Sequence, residues 1–438
     1  MDGTTRKGET MLIAETKTPP AGWNSFDCYM GSINEEQALA NLELFLKKLK
    51  PAGYEYFCLD AAWYADGDQA CNERLRRVGQ FRNMHLDPYG RFVPSPVNFP
   101  HGLRALADRC HENGVKFGVH IMRGMPRRAL ERNTPIKGTN FRARDIYDPD
   151  NFCSWCGYWV ATDASHPGTF AYYRSVVEYL TEELTVDFIK LDDVVEHPDH
   201  VALFGKALDS VPRPVLLSLS PGAEDIWRGS WREYVPCGNM IRVTPDAWDD
   251  DRTNLLKLRR WYEFEDLSGP SLWADLDMLP LGALQVTIPP ELALPQGSAR
   301  QSRLTPIGKK VMMTIFAMSC SPLIFGGDLP QTPEEDIALA THPEVLRCNR
   351  NGVVGRRVSL MRHIDVRKAP CKSDSAHGWL GIFSVNADAR RVKLSAAQLG
   401  FATIPPLYDI WGEYPVSIGP DGMLELYLQP FDCAFLKY

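Results

Sequence analysis

Between residues 21 and 328 eight short apolar runs alternate with seven stretches of helical spacing. The apolar runs cover 21–27, 54–64, 116–124, 188–195, 215–222, 240–246, 272–279 and 322–328. Helical patterns cover 34–50, 101–113, 168–184, 201–208, 223–231, 254–264 and 306–318. Asn34 stands as an N-cap with Gln37 at the capping-box position, and Gly114 stops the second helix. Short apolar runs bounded by polar residues are strands buried on both faces, as in a parallel sheet. Eight of them alternating with helices predict a (β/α)8 TIM barrel. A doubly wound nucleotide-binding sheet normally announces itself by a Gly-rich first turn, and neither G-x-G-x-x-G nor G-x-x-x-x-G-K occurs.

Beyond about residue 351 the rhythm changes to short alternating segments separated by turns at 386–388 and 419–422. We expect a disordered leader over 1–18, the (β/α)8 barrel over 19–350 and a C-terminal antiparallel β-sandwich over 351–438. At 438 residues the chain is long enough for that division. A net charge of -7 argues against a nucleic-acid partner, and no apolar run of membrane-spanning length is present. Residues 1–18 are polar and the 11 cysteines are odd in number and scattered, which predicts reduced thiols and a cytoplasmic protein. Cys153-Ser154-Trp155-Cys156 has neither the second pair of a zinc site nor the following helix of a redox motif.

In such a barrel the chemistry sits at the C-terminal ends of the strands. Those ends carry Trp23 and Phe26, Asp60 and Trp63, His120 and Arg123, Lys190 with Asp192 and Asp193, Ser218 and Ser220, Arg242 with Asp246, Asp275 with Asp277, and Asp328. Metal-assisted hydrolysis would need clustered histidines, and the strand ends offer only His120. Two carboxyl groups facing each other across a pocket suit glycoside hydrolysis, with aromatic rings covering the apolar face of a sugar. Proton abstraction assisted by a divalent ion at Asp192, Asp246 and Asp277, in a lyase or isomerase, is the rival chemistry. A non-catalytic sugar-binding protein is a third reading. The Arg-rich segment 123–144 reads as a solvated loop, with Arg123 and Arg127 near enough to a strand end to meet a second sugar. His197 and His200 have helix-face spacing without a visible third metal ligand.

The segments TPPAGWNSFDCY, KLDD, Arg242-x-x-x-Asp246 and WADLDML resemble glycoside hydrolase family 27, the α-galactosidases and α-N-acetylgalactosaminidases. His120 to Gly124, Ser218 to Gly222 and Ser321 to Gly327 resemble its bacterial members in particular. The resemblance implies a retaining exo-glycosidase with no metal or cofactor, acting on a terminal α-galactosyl-type sugar through a covalent glycosyl-aspartate. Asp192 matches the nucleophile and Asp246 the general acid/base. Trp23, Phe26, Asp60, Trp63, His120, Lys190, Ser220, Arg242 and Asp277 are the implied substrate-binding residues. Phe26 replaces a tryptophan common in the family, and Asp275 and Asp328 read as structural. Two departures bear on the sugar. Ala61 stands where many members have a second aspartate, and Ser220 stands where α-galactosidases often carry glutamate. An α-N-acetylgalactosaminidase or a β-L-arabinopyranosidase of the same family are therefore the alternatives. The expected partner is a carbohydrate, without nucleic acid or membrane, and a homo-oligomer remains open.

Overall fold

The computed structural model describes residues 16–67, 83–153, 156–194, 196–220, 228–288 and 296–438. Eight parallel strands form one sheet: β1 (Ala21–Asn24), β2 (Tyr56–Leu59), β3 (Lys116–Met122), β4 (Phe188–Asp192), β5 (Leu216–Leu219), β6 (Met240–Arg242), β7 (Trp273–Asp275) and β8 (Leu323–Phe325). Their spatial order is β8-β1-β2-β3-β4-β5-β6-β7. The ring closes just past β7, where Leu279 bridges Phe325 in parallel and its amide donates to the Ile324 carbonyl at 2.7 Å. The strands are shorter than the apolar runs that mark them, because each run continues into a turn at the barrel mouth. The helix expected over 223–231 lies largely outside the described residues, as does most of the expected leader.

Local sequence explains the elements between the strands. The helix Glu35–Leu44 begins at a full capping box between Asn34 and Gln37. Pro306–Ser319 starts at Thr305, whose side chain accepts from Gly308 N, with Pro306 in the first turn. Residues 334–340 and 343–350 form two further helices that the hydrophobic pattern did not reveal. Among the described residues no helix is long and apolar enough to cross a membrane, and the described cysteines are free thiols.

Side chains alternate across a strand, and here that parity decides everything at the mouth. Tyr56, Cys58, Phe188, Leu216, Met240, Trp273 and Ile324 form one cluster that fills the barrel interior. Residues one position away, such as Trp23, Phe57, Leu59, Ile189, Leu191, Leu217, Leu219, Ile241 and Phe325, belong instead to the large core shared with the helices. Moving up each strand by twos from the interior cluster gives Asp60, Lys190 and Asp192, Ser218 and Ser220, Arg242, and Asp275. The apolar floor and the polar mouth are thus the same face of the same strands. Gly118 on β3 makes room for its neighbour, since a Cβ there would come within 2.8 Å of the Phe188 ring.

The C-terminal residues fold into a six-stranded antiparallel sheet and a two-stranded one. In chain order the strands are β9 (Arg356–Met361), β10 (Ile364–Pro370), β11 (Gly378–Ser384), β12 (Arg390–Leu394), β13 (Leu407–Asp409), β14 (Tyr414–Val416), β15 (Leu424–Leu428) and β16 (Cys433–Lys437). The larger sheet runs β9-β10-β11-β16-β13-β14, and β12 pairs with β15. Val366, Leu380, Ile382 and Leu436 meet Val392, Leu394, Leu424 and Leu428 in a sandwich core, while Trp379, Phe383 and Phe435 join the barrel's core.

Arg367 on β10 fastens the sandwich to the barrel helix Thr253–Phe264. Its side chain has no exposed surface and its guanidinium carbon lies 4.1 Å from the Trp261 ring centre. It donates to Leu258 O at 3.1 Å and Asp365 Oδ2 at 3.0 Å, and pairs with Glu265 at 3.4 Å. Substituting Arg367 by alanine removes a partner from buried Asp365 and from half-buried Glu265, and we expect it to lower unfolding stability by about 3–5 kcal/mol, read from chemical denaturation.

Candidate active site

Asp60, at the end of β2, is buried, and its Oδ2 accepts from Asn24 Nδ2 and from Lys190 Nζ, both at 2.8 Å. Its backbone amide is held by Ser25 Oγ at 2.9 Å and its Oδ1 accepts from Ala61 N at 2.8 Å. Burial alone would raise its pKa; the charges of Lys190 and His120 outweigh that and hold the carboxyl below the usual range. Lys190 is pushed up, because Asp60 and Asp192 overcome the cost of its burial. The lysine's ion pair is with Asp60, two strands along the sheet, rather than with its strand neighbour Asp192. Its ammonium also lies 5.4 Å from the Phe26 ring centre.

Asp192 ends β4. Its Oδ2 accepts from His120 Nε2 at 3.2 Å and its Oδ1 from the Asp193 amide at 2.8 Å. Burial again pushes its pKa up. The His120 hydrogen bond and charge, then Lys190 and Arg242, reverse this and hold it well below the usual carboxylate range. Asp192 is therefore an ionised, desolvated carboxylate at the mouth end of β4, which suits a nucleophile.

Asp246 stands on the loop after β6, with its side chain 46% exposed. Its Oδ1 accepts from Arg242 Nη1 at 2.5 Å, and the same nitrogen reaches Asp277 Oδ2 at 3.3 Å. Burial would lower the Arg242 pKa, but Asp277, Asp246 and Asp192 together raise it. One guanidinium is thus electrostatically coupled to both candidate catalytic carboxylates. Asp277, with φ of 80°, accepts from Ala247 N at 2.7 Å and Met278 N at 2.9 Å, so it fixes the backbone beside Asp246. Asp275 lies deeper. Burial and the neighbouring Asp277 push its carboxyl up to about 7.

Several residues expected at the sugar belong elsewhere. Trp23 has no exposed surface; it stacks on Phe57 at 4.5 Å and donates to Gly327 O, because its parity on β1 turns it toward the helices. Trp63 is likewise fully buried, edge-on to Tyr64, and its indole N–H donates to His120 O. Neither can stack on a ligand. His120 is buried and bonded to Asp192, so it acts on that carboxylate rather than on the sugar. Arg123 is committed to Asp193 at 2.8 Å and to the Asn151 carbonyl, which removes it as a contact for a second sugar. The strand-end arginine instead braces Asp193, whose φ of 59° turns it away from Asp192. His200 bonds Tyr173 and lies edge-on to His197, and no cluster of metal-ligand type is found among the described residues.

Phe26, Asp60, Lys190, Asp192, Arg242, Asp246 and Asp277 do converge. Ser220 joins them from β5 with a buried Oγ that has no hydrogen-bond partner among the described residues. Asn24, Asp27 and Trp248 are additions. Asp27 is buried against Gly326, where a Cβ would come within 2.3 Å of its Oδ2; burial, then Asp277, push its pKa well up. Trp248 lies 6.4 Å from Phe26, ring centre to ring centre, and forms the aromatic wall that Trp23 and Trp63 do not. Its position two residues beyond Asp246 was the available signal.

A barrel whose mouth gathers carboxylates, two cations and aromatic edges is that of a glycoside hydrolase. No family model matches the chain. A family 27 β-L-arabinopyranosidase from Geobacillus stearothermophilus, solved with arabinose, is 33% identical, with a TM-score of 0.88 over 96% of this chain and 97% of that one. Human α-N-acetylgalactosaminidase is 24% identical over 456 residues, covering 94% of this chain and 92% of its own. The α-galactosidase of Cyamopsis tetragonoloba is 24% identical over 364 residues, covering 81% and 70%. The chain belongs to glycoside hydrolase family 27.

Proposed function

We propose that the enzyme is a retaining exo-glycosidase that removes a terminal galacto-configured pyranose, with β-L-arabinopyranose its preferred sugar. Asp192 attacks the anomeric carbon while Asp246 gives its proton to the leaving oxygen. A covalent glycosyl-aspartate results, and Asp246 then takes a proton from the water that releases the sugar. Arg242 suits this exchange, because its charge is felt by both carboxylates and offsets whichever is ionised. Asp60, Lys190 and Asn24 present acceptor and donors to ring hydroxyls on the far side, and Phe26 and Trp248 cover the apolar face.

The observation that carries the choice of sugar is the end of β2, where a single carboxylate, Asp60, is followed by Ala61. β-L-Arabinopyranose has the configuration of α-D-galactopyranose without the hydroxymethyl group. A methyl side chain offers that group's hydroxyl no acceptor, so a galactoside would bury it unpaired. The similarity to an arabinopyranosidase supports the same reading. Ser220 is small, and its Oγ has no hydrogen-bond partner among the described residues, which favours a second substrate, an α-N-acetylgalactosaminide, whose acetamido group that hydroxyl would meet.

Nitrophenyl glycosides of the three sugars provide the test. We expect kcat/KM on the β-L-arabinopyranoside to exceed that on the α-galactopyranoside by about 10-fold or more. A galactoside turned over faster would overturn the assigned sugar without touching the class of enzyme.

A further inference from the structure

Among the described residues Asp246 has one side-chain partner, Arg242, and it sits on an irregular loop, residues 243–252. Besides the Ala247 amide on Asp277, what holds that loop lies three residues beyond Asp246. The Asp249 side chain has no exposed surface. Its Oδ1 accepts from Arg300 Nη2 at 2.6 Å and Arg303 Nη2 at 3.1 Å. Its Oδ2 accepts from Arg300 Nε at 2.9 Å, Arg303 Nε at 3.2 Å and the Arg303 amide at 2.9 Å. Burial raises its pKa, and the hydrogen bonds from Arg300 and Arg303 more than reverse that. A second stitch follows at Asp251, which accepts from Thr305 N at 3.1 Å and Thr305 Oγ1 at 2.6 Å.

The other end of this grip is rigid as well. Arg300 is paired in an antiparallel ribbon with Leu284, and it donates to Ser298 O at 2.9 Å and to Gln285 Oε1. The Gln285 amide donates to Asp27 O at 2.8 Å, so the same frame holds the turn that carries Phe26. The Arg300 guanidinium carbon lies 5.8 Å from the Trp248 ring centre, on a ring that also faces Phe26.

We propose that Asp249 is a positioning residue for the reaction: by gripping Arg300 and Arg303 it fixes loop 243–252 and aims Asp246 at the glycosidic oxygen. This rests on reading Asp246 as the acid/base. A proton donor must come within hydrogen-bond reach of the leaving oxygen, and a misplacement of about 1 Å can cost about 100-fold. Asp249 touches no substrate and acts only through the loop.

The test separates this role from a merely structural one by leaving-group dependence. A dinitrophenolate departs without a proton, whereas an alkoxide needs one. In Asp249→Asn we expect kcat/KM on a methyl glycoside to fall about 10–100-fold, and on the dinitrophenyl glycoside of the same sugar by less than about 3-fold. Arg300→Gln, which leaves Arg303 on Asp249, should show the same selectivity to a smaller degree and serves if Asp249→Asn does not fold. Equal losses on both glycosides, or no loss, in a folded variant overturn the inference. Asp246→Ala is measured alongside. If that variant lacks the selectivity, the acid/base reading falls and takes this inference with it; if it shows it and the Asp249 and Arg300 variants do not, only this inference falls.

Discussion

Replacing Asp192 by asparagine should lower kcat by about 10³-fold or more while the protein stays folded. The amide has the carboxylate's shape and retains an oxygen for the Asp193 N–H, but it cannot form a stable ester with the sugar. The variant also removes a charge from a desolvated network. Burial opposes ionisation of Asp192, yet His120, Lys190 and Arg242 keep its pKa below the unfolded value. A carboxyl shifted in that direction stabilises the fold above its unfolded pKa, about 4, and that contribution is lost as pH falls through the folded pKa. Some stability should therefore be lost at pH 7, with the difference between variant and parent shrinking in acid. Initial rates on an aryl glycoside and thermal melts at two pH values check both parts. Undiminished turnover would remove Asp192 from the nucleophile's role.

Asp246→Ala should produce the second-largest loss, about 10²–10⁴-fold, on substrates whose leaving group needs a proton. The defect should be partly repaired by azide, an anion that attacks the glycosyl-enzyme without base assistance and fits the space the carboxylate vacates. The product should be a glycosyl azide with the substrate's anomeric configuration. Exposure supports this role for Asp246. A group that delivers a proton and then activates water has to meet solvent, and its side chain is far more open than that of Asp192. A uniform loss on all leaving groups, with no azide adduct, would count against it.

The barrel was legible because its strands are apolar on both faces and its helices carry ordinary caps, as at Asn34 and Thr305. The sandwich was less so. Strand β10 carries Asp365 and Arg367 buried against Glu265 and Trp261, and charges inside a strand hide its apolar alternation. At the mouth, the residue types at strand ends named the chemistry correctly, yet type alone does not say which face a side chain takes. Trp23 adjoins Asn24, and only one of two neighbours on a strand can face the pocket. The grip on Asp249 was not legible for a different reason. Its partners lie 51 and 54 residues away, on a segment with no strand or helix pattern of its own.

Two side chains from β4 and the loop after β6 carry the whole chemical account. The most direct measurement uses an activated 2-deoxy-2-fluoro analogue of the preferred sugar, which forms the glycosyl-enzyme and releases it slowly. Peptide mass spectrometry of the trapped protein should find the fluorosugar on Asp192. A label on Asp246, or no covalent adduct alongside steady hydrolysis, would contradict the mechanism.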